Sequence, residues 1–263
     1  MRPHGPSRGW TVLITGASSG LGRCLALELA RKGCGLVLSG RDTARLKTVA
    51  QEALNEGAAL TKILAADLAA ERGAEDLADL VEASGLSVDA LVNNAGAGRS
   101  GPWSDSTLAD DRAFFRLLID APLTLTRTFL PGWRRRGRGA LLNICSTGAF
   151  QPGPQTAVYY AAKAFLASWS LAFAQEEHRW LAVTTVCPGA MKTGFSSTAG
   201  KSDVPGAPFP EMVAKKAIRA WERGRGFFVP GFMNKILVFV SRMLPPAWMA
   251  RAVQTLQLAV KNR

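Results

Sequence analysis

The sequence is poor in acid. Asp and Glu number 20 against 32 Lys and Arg, a formal net charge of +12 over 263 residues. The imbalance is concentrated, because the stretch from Arg179 to Arg263 holds 13 basic and 3 acidic residues and so carries +10 of the total. A basic surface selects anionic partners such as a phosphorylated cofactor, an acidic substrate, lipid headgroups or nucleic acid, or else serves as a solvated face. Cysteine is also scarce, with Cys24, Cys34, Cys145 and Cys187 far apart and no C-x-x-C pair. That spacing argues against a disulfide framework and a cysteine-ligated metal, and predicts four small buried apolar side chains in a reducing compartment. No apolar run reaches about 18 residues, the length a spanning helix needs. Met1–Gly9 lacks the apolar stretch of a secretory signal. Together these absences predict a cytoplasmic protein without a metal site.

What is present suits one globular domain. Hydrophobic residues make up 48% of the chain and charged residues 20%, which supports a real core and does not fit a disordered, collagenous or coiled-coil chain. Short apolar runs at Trp10–Thr15, Leu36–Ser39, Lys62–Ala66, Ala90–Val92, Ala140–Cys145 and Ala182–Cys187 read as strands. Helical patterns at Arg23–Lys32, Thr43–Asn55, Ala74–Ser84, Asp111–Leu130 and Val158–Glu177 alternate with them. Such alternation predicts an α/β fold, a Rossmann-type doubly wound parallel sheet in a single domain. The long helix is expected to stop near Pro131, leaving Arg134-Arg135-Arg136-Gly137-Arg138 in a loop. Gly194–Pro210 is rich in Gly, Ser and Pro and reads as a mobile loop. A helix over Met212–Arg223 and a last strand over Phe227–Val229 follow. The chain thus divides into a tail (1–9), the main domain (10–231) and a basic, apolar helical segment (232–263).

Three groups of residues carry chemistry. Thr15-Gly16-Ala17-Ser18-Ser19-Gly20-Leu21-Gly22 lies between a strand and a helix. Glycines there let the backbone turn tightly and approach a pyrophosphate at the helix N-terminus. Tyr159 and Lys163 are four apart and share a helix face, so an ammonium near a phenol is expected to lower the tyrosine pKa. Ser146 follows a strand, where a hydroxyl faces the crevice in which such sheets bind ligands.

In this order and spacing, the pieces resemble the short-chain dehydrogenase/reductase family from about Thr11 to Thr193. The likeness includes Asp67 after the third strand, Asn93-Asn94-Ala95-Gly96, and Pro188-Gly189-x-x-x-Thr193. It implies a hydride-transferring oxidoreductase that interconverts a ketone or aldehyde and an alcohol. Ser146, Tyr159 and Lys163 would be catalytic: Tyr159 as acid/base, Lys163 depressing its pKa and binding ribose, Ser146 polarising the carbonyl. Gly16, Ser18, Ser19, Gly20, Leu21 and Gly22 would hold the pyrophosphate. Asp67, Leu68, Asn94, Ala95 and Gly96 would hold the adenosine end, and Pro188, Gly189 and Thr193 the nicotinamide. The resemblance also implies a homodimer or homotetramer paired through the long helices. The Gly224–Gly231 segment (GRGFFVPG) resembles reductases of lipophilic ketones.

Cofactor choice is read after the second strand, at Leu38-Ser39-Gly40-Arg41-Asp42. Gly40 stands where the family's NAD-selecting Asp would be, and the Arg41 guanidinium can pair with a 2′-phosphate, so NADP(H) is expected over NAD(H). Ser39 is a further donor, and Asp42 should point toward the next helix, where an acid suits the dipole. One departure stands out. Where the family places an Asn that supports a water chain to the lysine, the best register has Leu118, with Arg116 and Asp120 as polar neighbours. Asp120 from a shifted register could replace it. Leu118 also supports the alternative, a weak or silent NADP(H)-binding redox sensor or scaffold. Nucleic-acid binding has only the arginine run behind it, with no accompanying recognition motif. Phe227–Leu244 is too broken by Lys235 and Arg242 to span a bilayer. Two readings remain open for it: contact with an anionic membrane, or the preferred packing over the pocket or a subunit interface.

Overall fold

The computed structural model describes residues 4–193 and 206–261. Seven parallel strands make one sheet in the order β3-β2-β1-β4-β5-β6-β7. They are β1 (Thr11–Thr15), β2 (Gly35–Gly40), β3 (Leu60–Ala65), β4 (Ala90–Asn93), β5 (Gly139–Ile144), β6 (Leu181–Val186) and β7 (Phe227–Phe228). The helices are α1 (Gly20–Ala30), α2 (Thr43–Asn55), α3 (Gly73–Ala83), α4 (Leu108–Phe115), α5 (Ala121–Arg136), α6 (Ala157–Glu176), α7 (Pro210–Glu222), α8 (Phe232–Met243) and α9 (Pro246–Lys261). The expected single-domain α/β sheet is what the chain forms.

Alternation along the strands builds the two faces. On β1, Val12 and Ile14 point to one side and join Leu25 and Leu29 of α1, Leu46 of α2 and Trp221 of α7. Leu13 points to the other and joins Leu77 of α3, Leu125 and Trp133 of α5 and Phe173 of α6. A side-chain period of two requires this split, and burial on both faces explains why the central strands are almost wholly apolar. All four cysteines are free and buried, as their isolation predicted.

The chain winds from β1 outward to β2 and β3, then returns across β1 to β4. At that reversal the connections leave the carboxyl ends of β1 and β4 in opposite directions and open a crevice. Residues of the expected N-terminal tail do not hang free: the Gly5 N–H donates to the Trp221 carbonyl at 3.1 Å, and the Gly9 N–H to Gly33 at 3.0 Å.

Two expectations about the long helix need correcting. It does not stop at Pro131. One helical rod runs from Leu108 through a π-helical turn at Arg116–Asp120 and on to Arg136, with Pro131 inside. Arg134, Arg135 and Arg136 therefore form its last turn rather than a loop. Tertiary anchoring beyond the proline outweighs the lost backbone bond. Trp133 is wholly buried and its indole N–H donates to the Val88 carbonyl at 2.9 Å. Arg136 donates to the same carbonyl at 2.9 Å. The helix ends one turn later on Gly137 at φ 64°, with Gly137 N–H bonded to Arg134 and Arg138 N–H to Trp133, a left-handed cap that glycine adopts without strain.

Trp133→Ala should therefore cost about 3–5 kcal/mol, the range for emptying a large aromatic site. The exposed Arg135→Ala should change stability by no more than about 0.5 kcal/mol. Urea unfolding at unchanged slope reads both, and equal losses would show that Trp133 is not the anchor.

Candidate active site

The crevice at the end of β1 is floored by a turn with no spare volume. Gly16 and Gly20 sit at φ 64° and 53°, left-handed conformations that favour glycine. At Gly22 a Cβ would stand 2.1 Å from the Gly16 carbonyl oxygen, so only glycine fits. The turn is stitched to β4. The Thr15 hydroxyl accepts from the Asn94 and Ala95 N–H groups at 3.1 and 3.0 Å and donates to the Val92 carbonyl at 3.2 Å. The Asn94 side-chain amide donates to the Thr15 and Gly16 carbonyls at 2.9 and 3.1 Å. Its donors are thus committed to holding the turn, a role the sequence did not suggest. The result is a bare-backbone cradle at the start of α1, which fits a pyrophosphate. Thr193, arriving after β6, lies 3.7 Å from the position of a Gly20 Cβ.

The adenosine side is more mixed. Gly40 lies beside Ser18, leaving space where an acidic side chain would otherwise project. Arg41 is exposed next to it. Asp42 is the N-cap of α2, its carboxylate accepting from the Arg45 N–H at 3.0 Å, which turns it away as expected. Ser39 corrects the expectation of a phosphate donor: it is fully buried, and its hydroxyl has no partner among the described residues. Asp67 is exposed with its carboxylate accepting from Ala69, while Leu68 is buried in the core. Gly96 is exposed at the crevice, one residue from the stitched Ala95.

Ser146, Tyr159 and Lys163 come together at the carboxyl end of β5. Ser146 caps a short 3-10 turn by accepting from the Gly148 N–H at 3.1 Å, and its side chain is hydrogen-bonded to Tyr159. Lys163 is buried, with its ammonium donating to the Ile144 carbonyl at 2.8 Å and lying 5.9 Å from the Tyr159 ring centre. Burial pushes the Lys163 pKa down. The expected depression of the Tyr159 pKa is not found. Burial pushes its pKa up, with the Ser146 hydrogen bond opposing the shift. Beneath the trio, Cys145 and Cys187 directly follow β5 and β6 with both side chains buried, and the Cys145 thiol donates to the Lys163 carbonyl at 3.1 Å.

The departure at Leu118 is real in space. Leu118 is buried in the π-helical turn, and its Cδ2 stands 3.6 Å from where a Gly96 Cβ would be. Asp120 does not replace it. It is exposed on a groove shared with Glu71, Glu75 and Arg116, and Arg116 is drawn to the Ala69 carbonyl at 2.7 Å.

Several positioning residues escaped the sequence reading. A buried polar chain crosses the core behind Tyr159 and Lys163. The Asn93 amide donates to Asn143 at 2.9 Å, and the Asn143 amide to the Ser170 hydroxyl at 2.8 Å. Ser170 in turn donates to the Leu166 carbonyl at 2.6 Å, so β4, β5 and α6 are bolted together. The signal was an Asn inside the otherwise apolar strand Leu141-Leu142-Asn143-Ile144. On the other side, Tyr160 packs against Gly148 and Gly153 and accepts from Gln257 of α9 at 3.1 Å. Asn234 of α8 rests against Gly189, where a Cβ would meet its amide at 2.5 Å. Of the expected loop, residues 194–205 lie outside the described residues, and its far end returns to Lys192, whose N–H donates to Pro208 at 3.0 Å.

Comparisons with known proteins identify the family and the fold. Residues 10–203 match the family model for short chain dehydrogenases. A very-long-chain 3-oxoacyl-CoA reductase of Aspergillus clavatus is 38% identical over 180 residues, covering 67% of this chain and 51% of its own length. The corresponding reductase of Anas platyrhynchos is 33% identical over 221 residues, covering 81% of this chain and 69% of its own. This chain spans about half the length of the Aspergillus relatives it matches. Among solved structures, a short-chain dehydrogenase from Sphingobium yanoikuyae in complex with NADPH superposes with TM-score 0.80 at 29% identity, covering 85% of this chain and 88% of its own.

The polar chain makes a prediction. Asn143→Leu leaves the Asn93 amide without its best acceptor and should cost about 1–3 kcal/mol. Ser170→Ala should add less in the double variant than alone, because the two share one hydrogen bond. Strict additivity in urea melts would show that the chain does not act as a unit.

Proposed function

The chain belongs to the short-chain dehydrogenase/reductase family, and on that premise we propose that it is an NADP(H)-dependent oxidoreductase interconverting a lipophilic ketone or aldehyde and the corresponding alcohol. The observation that carries this reading is the hydrogen-bonded Ser146–Tyr159 pair, backed by buried Lys163 and set beside the glycine cradle. The nicotinamide cofactor, when bound, supplies or accepts the hydride. The chain's own residues do the rest. Ser146 orients the carbonyl and donates to its oxygen as charge develops there. Tyr159 delivers the proton to that oxygen. Lys163, held by the Ile144 carbonyl at 2.8 Å, would meet a ribose hydroxyl and stabilise the phenolate left behind. Gly16, Ser18, Ser19, Gly20, Leu21 and Gly22 would hold the pyrophosphate. Asp67, Leu68, Ala95 and Gly96 would line the adenosine end, and Pro188, Gly189 and Thr193 the nicotinamide amide.

The lipophilic substrate class draws support from the names of the relatives, which act on very-long-chain 3-oxoacyl thioesters. It is screened with such thioesters beside steroids and bulky ketones, following absorbance of the reduced cofactor. The second reading, a cofactor-binding protein with little turnover, is favoured by Leu118, which cannot hold a water where a proton relay would pass. Tight NADPH binding without oxidation by any carbonyl in the panel would select it. The family's homodimer or homotetramer is a further expectation, read by sedimentation.

Tyr159→Phe should lower turnover by about 10²–10⁴-fold, the usual contribution of a positioned acid, with cofactor affinity nearly unchanged. Lys163→Ala should weaken both. A wild-type rate in Tyr159→Phe would overturn the assignment.

Preference for NADP(H) rests on Arg41 beside the vacant side-chain space of Gly40. Arg41→Ala should raise the KM for NADPH by about tenfold, as expected for the loss of a charge-assisted phosphate contact, and leave that for NADH unaltered. Equal weakening of the two cofactors would make Arg41 structural.

A further inference from the structure

Among the described residues, 20 large apolar side chains are exposed, and 11 of them lie between Phe232 and Leu258. More than half of the exposed large apolar side chains among the described residues thus lie on two short helices and the turn between them. The helix α8 has two distinct faces. Val238 and Ser241 are buried inward, Val238 joining the cluster around Cys145, Cys187 and Val229. On the same side, the Arg242 guanidinium lies 4.9 Å from the Phe150 ring. At about 100° per residue, Phe232, Ile236, Phe239, Val240 and Met243 fall together on the outward face. Phe232 is 78% exposed, Phe239 66% and Met243 69%, and Trp248 at the start of α9 is 64% exposed. The packing reading of this segment accounts for the inner face and leaves the outer one uncovered.

The charge on these helices selects the occupant. From Arg223 to Arg263 the sequence has seven basic residues and no acidic one. Lys235, Arg242 and Arg251 are exposed, and Lys235 borders the apolar face of α8. A second copy of the chain docked face to face would oppose like charges and bring no carboxylate to pair with them. Anionic headgroups supply that charge, while the acyl boundary takes up the Phe and Met side chains. The helices span 12 and 16 residues, and no described helix is long and apolar enough to cross a membrane. Their geometry is that of elements lying in the plane of a bilayer interface.

We propose that α8 and α9 seat the protein on an anionic lipid surface, apolar face inward and basic edge at the headgroups. The seat adjoins the candidate active site, because Asn234 rests on Gly189 and Gln257 holds Tyr160. The inference rests on these helices alone and is independent of the oxidoreductase reading.

Flotation of the full chain with phosphatidylcholine vesicles, with and without phosphatidylglycerol, tests it. The chain should float with the anionic vesicles, about tenfold less with the neutral ones, and less again as salt screens the headgroups. Phe232→Ser/Phe239→Ser/Met243→Ser should abolish flotation while the thermal midpoint stays unchanged, since these side chains are exposed. If that triple variant does not fold, Phe239→Ser alone should weaken binding. Lys235→Glu/Arg251→Glu should remove the preference for anionic vesicles. Trp emission should shift blue on vesicle binding, and Trp248→Phe should lose most of the shift. Failure of the wild-type chain to float overturns the proposal. So does a solution dimer that the triple variant dissociates while neither form binds vesicles, which would make a second copy the occupant.

Discussion

Everything at the crevice depends on how closely β1 and β4 are held where the chain reverses direction. Thr15 and Asn94 satisfy five backbone groups between them across that junction. Backbone polar groups this deep must be paired, and a strand end beside a ligand crevice has no neighbouring strand residue to pair them. Two side chains do it instead. With the strands so fixed, the turn between β1 and α1 has room for nothing larger than hydrogen at Gly22. The cradle is therefore a by-product of tight stitching, and its bare backbone follows from sterics before any ligand is considered.

A second junction holds the residues proposed to move protons. Ser146 leaves β5, whereas Tyr159 and Lys163 stand on α6, so their geometry depends on how α6 lies against that strand. The chain from Asn93 through Asn143 to Ser170 fixes this with directional bonds in a core that is otherwise apolar. Apolar packing alone tolerates small sliding of a helix on a sheet, whereas a satisfied buried polar chain does not. Lys163 adds a bond from the same helix to the Ile144 carbonyl.

The sequence was most legible where periodicity or glycine spacing carries the message. The strand–helix alternation, the glycine turn and the four-residue Tyr159–Lys163 step each follow from local geometry and are where the structure has them. Asp42 turning toward the next helix was legible for the same reason, being settled within four residues. The misreadings share another cause. Pro131 is a sound local stop signal, yet Trp133 and Arg136 bind a carbonyl 45 and 48 residues away and carry the helix past it. Ser39 was read as a further donor to the phosphate, and the sheet buries it. The Tyr159 pKa followed burial rather than the nearby ammonium. In each case a contact distant in sequence outweighed a short-range rule, and pattern reading does not see such contacts.

The two halves of the site hang on different parts of the fold. The cradle belongs to β1, β4 and α1, at the centre of the sheet. The opposite wall is held by α8 and α9, through Asn234 on Gly189, Arg242 on Phe150 and Gln257 on Tyr160. This separation makes the protein modular in an evolutionary sense. Substitutions along the inner face of α8 would shift this wall while the strand junction, which shares none of these contacts, stays intact.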